Sequence, residues 1–227
     1  MSDFKHHILQ QYQEITKGLQ EPVMIQQIRK SGIELFNIQG FPNQKIEKWR
    51  HKAIDTLLET HSEGFFEIQK QPDPFRPVNE YFTCDIKDIG TSMYTFLNGW
   101  YAHNNQPLEI HANGVVIGSI LAAFEKYPEL IQSYFAQMDP EKMDGMISLN
   151  QALFTDGIFI YIPDNVIVEQ PIQIVSVVDS FSKIMVQHRH LVIVGKNSSL
   201  SLVHCDDSIH EENSFINNIL EVDIAEN

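Results

Sequence analysis

The sequence predicts an α+β protein in which a helical N-terminal region is followed by a parallel β-solenoid. Two observations lead to this fold class. Apolar residues recur at helical spacing through the first part of the chain, as at Phe4, Ile8 and Tyr12. One strand-and-corner phrase then occurs three times in the last third of the chain.

The repeated phrase consists of a β-branched residue, any residue, a β-branched residue, a turn or small residue, a charge and an Asn. It spans residues 160–165, 192–197 and 222–227, so each position moves by 32 and then by 30 residues. Such alternation is typical of a strand with one buried face, and Asn tolerates the left-handed backbone of a corner. A period near 30 with one strand unit per repeat indicates a solenoid. Another all-β protein rich in Val and Ile could match itself in this way, so both interpretations stay open at this point.

Composition and charge limit the possible functions. The chain has 227 residues, 43% of them hydrophobic, and a formal net charge of −14. A strongly acidic surface disfavours nucleic acid and anionic membranes as partners, because their phosphates repel it. Two cysteines, Cys84 and Cys205, form no disulfide framework, and the N-terminus lacks a signal-peptide core. A reduced, cytoplasmic setting is expected.

The N-terminal elements are predicted from the spacing of apolar residues and from the positions of Gly and Pro. A helix is predicted over residues 3–19 and a second after Pro22, with Gly32 weakening the case for one unbroken helix. The second helix is expected to end at residues 40–43. A third helical segment over residues 46–58 is predicted to turn Trp49, Ile54, Leu57 and Leu58 toward a core. Pro72, Pro74 and Pro77 then indicate an extended connector.

Residues 93–154 are predicted to mix strands and helices. A strand over residues 93–97 turns at Asn98-Gly99 into Trp100-Tyr101, and two short strands flank a turn at Asn113-Gly114. Residues 119–138 read as a helical pair broken at Pro128. Asp139-Pro140 is predicted to cap another helix that runs to about residue 153. From residue 158 the chain reads as β only.

The last repeat has no cap, since the chain ends inside it at Asn227. The solenoid is therefore expected to be truncated at its C-terminal end, with unpaired backbone groups on its last strand. Pairing with a second copy, giving a homo-oligomer, is expected from that free edge.

His188 and His190 are the first candidate metal ligands, because alternate residues of a strand share one face. A cupin-type metal site would also need a Gly upstream and a Glu just beyond the second His. Ser182, Lys183, Ile193 and Val194 occupy those positions instead. The default interpretation is that these polar residues lie on a solvated face.

A second candidate group runs from His204 through Cys205, Asp206 and Asp207 to His210, Glu211 and Glu212. Thiolate and imidazole suit zinc or iron. Neighbouring residues on a strand point to opposite faces, however, so His204 and Cys205 are not expected to converge. Cys84 lies among Asp85 and Asp88, whose charges would raise its pKa, and is expected to be inert. No phosphate-binding loop or hydrolase motif occurs.

Residues 149–163, Leu-Asn-Gln-Ala-Leu-Phe-Thr-Asp-Gly-Ile-Phe-Ile-Tyr-Ile-Pro, resemble the SufB/SufD family of iron–sulfur cluster assembly proteins. The resemblance continues over residues 168–174 and 190–197. Gly40-Phe41-Pro42 with Glu47-Lys48-Trp49-Arg50 is similar to the N-terminal element of that family, although His51-Lys52 departs from its usual Tyr-Thr. The helical N-terminus and the Asp-Gly approach to the repeats are more similar to the SufD branch.

The resemblance implies a right-handed parallel β-helix and a non-catalytic scaffold subunit of the Suf complex, with SufB-like and SufC-like (ATPase) subunits as partners. The residues themselves predict a division into a helical region with a Pro-rich connector over residues 1–92, a mixed α/β segment over 93–154 and an incomplete β-helix over 155–227. The cluster would be assembled at a site shared with partner subunits. This chain alone would bind no cofactor, and no catalytic, cofactor-binding or metal residue is assigned to it.

Two alternatives remain open from the residues. A β-helix enzyme acting on polysaccharide would need Lys183, Arg189 and Lys196 near Asp206 and Asp207 on an outer face, and the charge of −14 disfavours a polyanionic substrate. A cupin-like metalloprotein would need His188 and His190 as ligands in a closed barrel.

Overall fold

A computed structural model describes residues 3–17, 21–52, 54–60, 66–71, 78 and 90–226. Its N-terminal part is helical, its middle mixes helices with short strands, and its C-terminal part consists of strands. The helices are α1 (Asp3–Thr16), α2 (Val23–Gln39), α3 (Ile54–Thr60), α4 (Ile120–Lys126), α5 (Pro128–Tyr134) and α6 (Gly145–Leu153). The strands are β1 (Ser92–Leu97), β2 (Trp100–Tyr101), β3 (Leu108–Ile110), β4 (Val116–Ser119), β5 (Ile158–Ile162), β6 (Ile172–Val178), β7 (Ile184–Val194), β8 (Leu202–Ser208) and β9 (Ser214–Ile224).

The C-terminal strands alternate between two sheets. One sheet has the order β3-β4-β5-β7-β9 and the other the order β2-β1-β6-β8. Within them β5, β7 and β9 are parallel, as are β1, β6 and β8, while β2, β3 and β4 pair antiparallel with their neighbours. The α+β class is therefore confirmed. Both sheets are open, so the closed barrel required by the cupin alternative is not formed.

The sequence repeat coincides with the strand register. Ile160 of β5 lies beside Val192 of β7, and Val192 lies beside Val222 of β9. These are the offsets of 32 and 30 residues found in the sequence. Because the repeat offset equals the register offset at each step, corresponding residues lie side by side on neighbouring strands. The β-branched positions therefore stack on each other through the interior.

The predicted Asn corners are observed. Asn165 and Asn197 have φ of 61° and 52°, in the left-handed region. The side-chain Nδ2 of Asn197 donates to Oδ1 of Asn165 at 3.1 Å. Stacked Asn side chains therefore link successive corners, which explains why this residue recurs. The third corner residue, Asn227, lies outside the described residues.

The interior between the two sheets is filled by apolar side chains. Phe96, Ile160, Ile174 and Val192 belong to one buried cluster that joins both sheets. Burying a side chain of this size typically stabilises a fold by about 1.5 to 3 kcal/mol. Polar side chains within this apolar interior cost free energy unless they form hydrogen bonds.

The helices form a layer on the outer face of the β7 sheet. Helix α6 contacts both β7 and β9, and α2 packs closely on α6. A Cβ at Gly32 would lie 2.6 Å from the backbone N of Ala152, so only Gly permits this approach. The sequence pattern left the continuity of this helix open, and α2 is in fact unbroken through Gly32 because the close contact with α6 offsets the intrinsic cost of a helical Gly.

The segment after α2 is fastened to the start of α6. The carboxylate of Asp144 caps α6 by accepting from the N–H groups of Met146 and Ile147, each at 3.0 Å. It also accepts from the indole N–H of Trp49 at 3.0 Å and pairs with Lys48 at 2.8 Å. Burial alone would raise the pKa of Asp144, but these partners outweigh it and the pKa is lowered.

Two predicted details of the helices are wrong. The third helical segment is a 3-10 turn over Glu47–Trp49 followed by α3, and Leu57 is 50% exposed while Leu58 is buried. Asp139 caps only a short 3-10 turn over Pro140–Lys142, and α6 begins later, at the cap supplied by Asp144. In both places a short 3-10 turn forms where the sequence predicted the start of an α-helix, and the α-helix begins several residues later.

Pro72, Pro74 and Pro77 of the predicted connector lie outside the described residues. The division at residues 92 and 154 stays a prediction. Among the helices in the described part of the chain, none is both long and apolar enough to cross a membrane.

Candidate functional site

Strand β7 carries a polar sequence, Gln187-His188-Arg189-His190, inside a strand that is buried along its whole length. One face of β7 meets the other sheet and the opposite face meets the helical layer. Alternation sends His188 and His190 inward and Gln187 and Arg189 toward the helices. Both imidazoles are 0% exposed. The interpretation of these residues as a solvated face is therefore wrong, because the opposite sheet covers His188 and His190 while the helical layer covers Gln187 and Arg189.

The two inward imidazoles form a column with a third. The ring centroids of His188 and His190 lie 5.4 Å apart, and those of His190 and His204 lie 5.2 Å apart. Phe96 of the opposite sheet packs on His188 at 4.8 Å. His204 belongs to β8, the outermost strand of its sheet. The column therefore runs from the core of the stack toward its outer end.

Hydrogen bonding differs between the two buried imidazoles. The Nδ1 atom of His190 accepts from the backbone N–H of Ile158 at 2.9 Å, which places the proton of the neutral ring on Nε2. Among the described residues, that Nε2 has no hydrogen-bond partner. Neither ring nitrogen of His188 has a partner of good geometry within the same part of the chain, although the Asn218 side chain and the Gly99 backbone approach the ring.

Burial fixes the charge state of this column. It lowers the pKa of His188 to about 3, with His204 adding to the shift and Asn218 and Gly99 opposing it. Burial also lowers the pKa of His190 well below its ordinary value, and His188 and His204 lower it further. Both rings are therefore neutral near neutral pH. They can donate or accept a hydrogen bond, but they are poorly matched to proton transfer at that pH.

The described residues contain no group of three or more His, Cys, Asp or Glu side chains arranged to hold a metal ion. The cupin-type site considered from the sequence needs further ligands that converge on His188 and His190. The residues at the expected positions, Ile193 and Val194, are apolar and buried. In this structure the pair therefore has the surroundings of a packed core.

The opposite face of β7 carries a buried ion pair. The Nε of Arg189 donates to Glu221 of β9 at 2.7 Å. The other carboxylate oxygen of Glu221 accepts from the N–H of Ala136, a non-Gly residue with φ of 57°. The guanidinium also lies 5.4 Å from the ring centroid of Phe135. This pair therefore ties two strands to the segment after α5.

Asp156 joins the start of β5 to its surroundings. It accepts from the hydroxyl of Ser119 at 2.9 Å and from the N–H groups of Gly157 at 2.8 Å and Tyr101 at 3.2 Å. Burial raises the pKa of Asp156 to about 6, and these hydrogen bonds limit the shift. A Cβ at Gly157 would lie 2.0 Å from the carbonyl oxygen of Arg189. The Asp-Gly pair of the sequence phrase thus serves close packing and buried hydrogen bonding.

Asn150 of α6 has a comparable role that the sequence reasoning missed. Its Nδ2 donates to the carbonyl oxygens of His188 at 2.7 Å and Asn217 at 2.8 Å, so it bridges β7 and β9 from the helical layer. The signal that could have revealed it is the amide pair Asn150-Gln151 between Leu149 and Ala152, in a helix whose other long side chains are apolar.

The second candidate group is dispersed, as predicted. His204 lies on the inner side of β8, whereas the Sγ of Cys205 accepts from Gln173 at 3.6 Å on the other side. Asp206 accepts from Nδ2 of Asn218 at 3.1 Å and lies 3.7 Å from the His204 imidazole. His210 pairs instead with Asp179 at 3.0 Å. Cys84 lies outside the described residues.

The polysaccharide alternative loses one of its residues. Arg189 is fully buried and bound to Glu221, so it cannot join Lys183 and Lys196 on an outer binding face. The remaining candidates, Asp206 and Asp207, are neighbours on β8 and point to opposite sides.

Comparisons with known proteins identify the family. A family model described as the SufBD protein N-terminal region matches residues 2–174. The iron–sulfur cluster assembly protein SufD of Bacillus subtilis (strain 168) is 30% identical over 214 residues, which cover 92% of this chain and 47% of that protein. The SufBD family protein ABCI9 of Arabidopsis thaliana is 31% identical over 124 residues, covering 54% of this chain and 26% of that protein.

The SufBD family protein ycf24 of Trieres chinensis is 31% identical over 125 residues, covering 52% of this chain and 24% of that protein. The chain thus spans about half the length, or less, of these curated relatives. The residues that the family model matches include Trp49, Asn150, Asp156 and Gly157, whose contacts are described above. The chain therefore belongs to the SufBD family of iron–sulfur cluster assembly proteins and is most like SufD.

Proposed function

We propose that this chain acts in iron–sulfur cluster assembly as a non-catalytic scaffold subunit of a Suf-type complex, with SufB-like and SufC-like subunits as partners. The observation that carries the proposal is the pair of parallel strand stacks, in which the repeated residues of successive strands lie side by side. Their interior is filled by apolar side chains, as expected of a structural support. The names of its relatives support the part of this proposal that concerns iron–sulfur cluster assembly.

We further propose that β5 to β9 are turns of a right-handed parallel β-helix. Supporting this, successive strands alternate between the two sheets with offsets of 32 and 30 residues, and Asn165 and Asn197 stack at the corners. Connections between parallel strands of one sheet are almost always right-handed, which favours the right-handed form of the helix. An experimental structure with left-handed crossovers between β5 and β7 would contradict this part of the proposal.

The cluster itself is assigned to a site shared with partner subunits. Iron–sulfur clusters are generally held by four ligands, mostly thiolates. The chain has two cysteines, Cys84 and Cys205, and the Cys205 sulfur faces Gln173. The buried imidazoles of His188 and His190 belong to the packed interior of the stack. Ligands from a second chain would therefore complete any cluster site to which this chain contributes. We place the complex in the cytoplasm, in keeping with the acidic, cysteine-poor sequence.

Co-expression and affinity purification test the partnership. The chain should co-purify with the SufB-like and SufC-like proteins of the same organism and persist with them through size-exclusion chromatography. Val23→Lys, at an exposed position at the start of α2, is a suitable surface control. Failure to bind either partner at micromolar concentrations, with the chain folded by circular dichroism, would contradict the proposal.

A further inference from the structure

Two Asn-Gly pairs occur in the sequence, Asn98-Gly99 and Asn113-Gly114, and each lies in a turn between two strands. In such a pair the backbone nitrogen of Gly can attack the side-chain carbonyl carbon of Asn, because Gly has no side chain to obstruct the approach. In a folded protein this reaction requires an Asn side chain that is free to turn toward that nitrogen. The two pairs differ in this respect.

Asn98 is locked in place by three hydrogen bonds. Its Oδ1 accepts from the backbone N–H of Asp179 at 2.8 Å, and its Nδ2 donates to the carbonyl oxygen of Asp179 at 2.9 Å. The Nδ2 also donates to Oε1 of Gln69 at 3.2 Å, and only 8% of Asn98 is exposed. These bonds must break before the side chain can reach the Gly99 nitrogen, so the fold protects this pair.

Asn113 is exposed and loosely held. Within the described part of the chain, its side chain forms one hydrogen bond, in which Oδ1 accepts from the N–H of Val115 at 3.3 Å. Accepting from the residue two positions ahead folds the Asn side chain over the intervening peptide nitrogen, which is that of Gly114. The side-chain carbonyl carbon is therefore held close to the nitrogen that would attack it.

One contact opposes the reaction at Asn113. The N–H of Gly114 donates to the carbonyl oxygen of His111 at 2.9 Å, and this bond must open before the nitrogen can attack. Both Asn113 and Gly114 are exposed, so water can replace the carbonyl as the partner of that N–H. The reaction is therefore expected to be slower than in an unstructured chain but faster than at the buried Asn98.

We propose that Asn113 is a site of spontaneous modification in the folded protein and that Asn98 is protected from the same reaction. The Gly114 nitrogen forms a bond to Cγ of Asn113 and loses its proton to solvent, while the side-chain nitrogen takes up a proton and leaves as ammonia. Water then opens the succinimide ring. Cleavage of the bond from nitrogen to Cγ gives Asp, whereas cleavage on the main-chain side gives isoaspartate, in which the backbone passes through Cγ.

The isoaspartate product would alter the turn between β3 and β4. It adds a carbon atom to the backbone between His111 and Val115, where the N–H of His111 donates to the carbonyl oxygen of Val115 at 2.9 Å. The turn has little room to adjust, because a Cβ at Gly114 would lie 3.0 Å from Cγ of Pro163. Isoaspartate is therefore expected to weaken the hydrogen bond of the His111 amide.

Peptide mapping by mass spectrometry measures the two sites separately. The chain is incubated in mildly alkaline buffer, either folded or unfolded in urea, and digested with chymotrypsin, which cuts after Trp100 and Tyr101. Trypsin would leave both Asn residues in one peptide, because residues 88–125 contain no Lys or Arg. The change in mass reports conversion of the amide to an acid. Methyl transfer by a protein isoaspartate methyltransferase reports isoaspartate.

In the folded chain, Asn113 should react at least about tenfold faster than Asn98, because fewer hydrogen bonds oppose it. In urea the two sites should react at similar rates, since both Asn residues precede Gly. Gln69→Ala removes one of the three hydrogen bonds of Asn98 and should raise its rate without changing that of Asn113.

Two variants of Asn113 assign the products. Asn113→Gln should abolish methyl acceptance by the incubated folded chain, because a Gln side chain would have to close a larger and less favourable ring. Asn113→Asp supplies the new charge without the extra backbone carbon. Hydrogen exchange of the His111 amide should match fresh wild type in Asn113→Asp and be faster in the incubated wild-type chain.

Three results would overturn the proposal. The first is an equal rate at Asn98 and Asn113 in the folded chain. The second is an Asn113 that reacts in urea and stays intact in the folded chain. The third is methyl acceptance that persists in Asn113→Gln, which would place the modification elsewhere.

Discussion

Replacing His188 by Leu should stabilise the protein, and the gain should grow as the pH falls. At neutral pH the wild-type core carries a neutral imidazole whose ring nitrogens have no well-formed hydrogen bond in the described structure. A buried polar group without a partner costs about 1 to 3 kcal/mol. Leu is close to His in size, so the variant is expected to gain about 1 kcal/mol near neutral pH after some loss of packing.

The pH dependence follows from the pKa of His188, which is about 3 in the folded protein. The unfolded chain takes up a proton near the ordinary value of about 6.5, so between these values it binds more protons than the folded chain. Stability therefore falls as the pH drops below about 6.5. At about pH 5 the unfolded state gains about 2 kcal/mol from this one residue, a loss of stability that the variant avoids.

Urea unfolding of wild type and variant at about pH 7.5 and about pH 5 measures this difference. The variant should lead by about 1 kcal/mol at the higher pH and by about 3 kcal/mol at the lower one. Asp156, whose folded pKa is raised, is present in both proteins and cancels in the comparison. Ser176→Ala removes a buried hydroxyl that has no hydrogen-bond partner among the described residues, and it should shift stability equally at both pH values.

An equal loss of stability in wild type and variant between the two pH values would refute the buried, neutral state of His188. A variant less stable than wild type at both values would show that the imidazole has hydrogen bonds worth more than its burial costs.

Three further changes test other contacts. Glu221→Ala should cost about 3 to 5 kcal/mol in the free energy of unfolding by leaving the Arg189 charge unpaired, whereas Arg189→Met combined with Glu221→Leu should be nearly neutral. A double variant as unstable as the single one in urea would count against that account. Gly157→Ala should lower stability by more than about 3 kcal/mol, because its Cβ would meet the Arg189 carbonyl, and wild-type-like thermal unfolding would disprove that close approach. Asn197→Ala should cost about 1 to 2 kcal/mol and Asn197→Gly much less, since Gly accepts a positive φ; chemical denaturation compares the two, and equal losses would mean that the side-chain ladder dominates.

The repeat was predictable because its cause lies within each strand. Alternating β-branched residues and a corner Asn are local signals, and the register of Ile160, Val192 and Val222 follows them without error. The environment of β7 was not predictable in the same way. Whether His188 meets solvent or a second sheet depends on which residues lie across the stack, such as Phe96 about 90 positions earlier in the chain.

The predicted start of α6 was wrong because two Asp residues a few positions apart can each cap a helix. Asp139-Pro140 was predicted to cap the helix, whereas Asp144 caps it in the structure, and the Asp144 carboxylate is also held by Lys48 and Trp49, which are remote in sequence. The role of Asn150 was missed for a related reason. Its partners are backbone carbonyls of two strands, and because every residue has a carbonyl group, the sequence does not indicate which ones will accept.

The alternation of imidazole and guanidinium along β7 also bears on how the chain avoids misthreading during folding. Strands rich in Val and Ile match one another at many offsets, so their apolar residues alone discriminate poorly between alignments. A slip of β7 by one position would push the Arg189 charge among apolar side chains and separate it from Glu221, at a cost of several kcal/mol. The three residues from His188 to His190 would then fix the register of β7, which the repeated Val and Ile residues alone leave poorly specified.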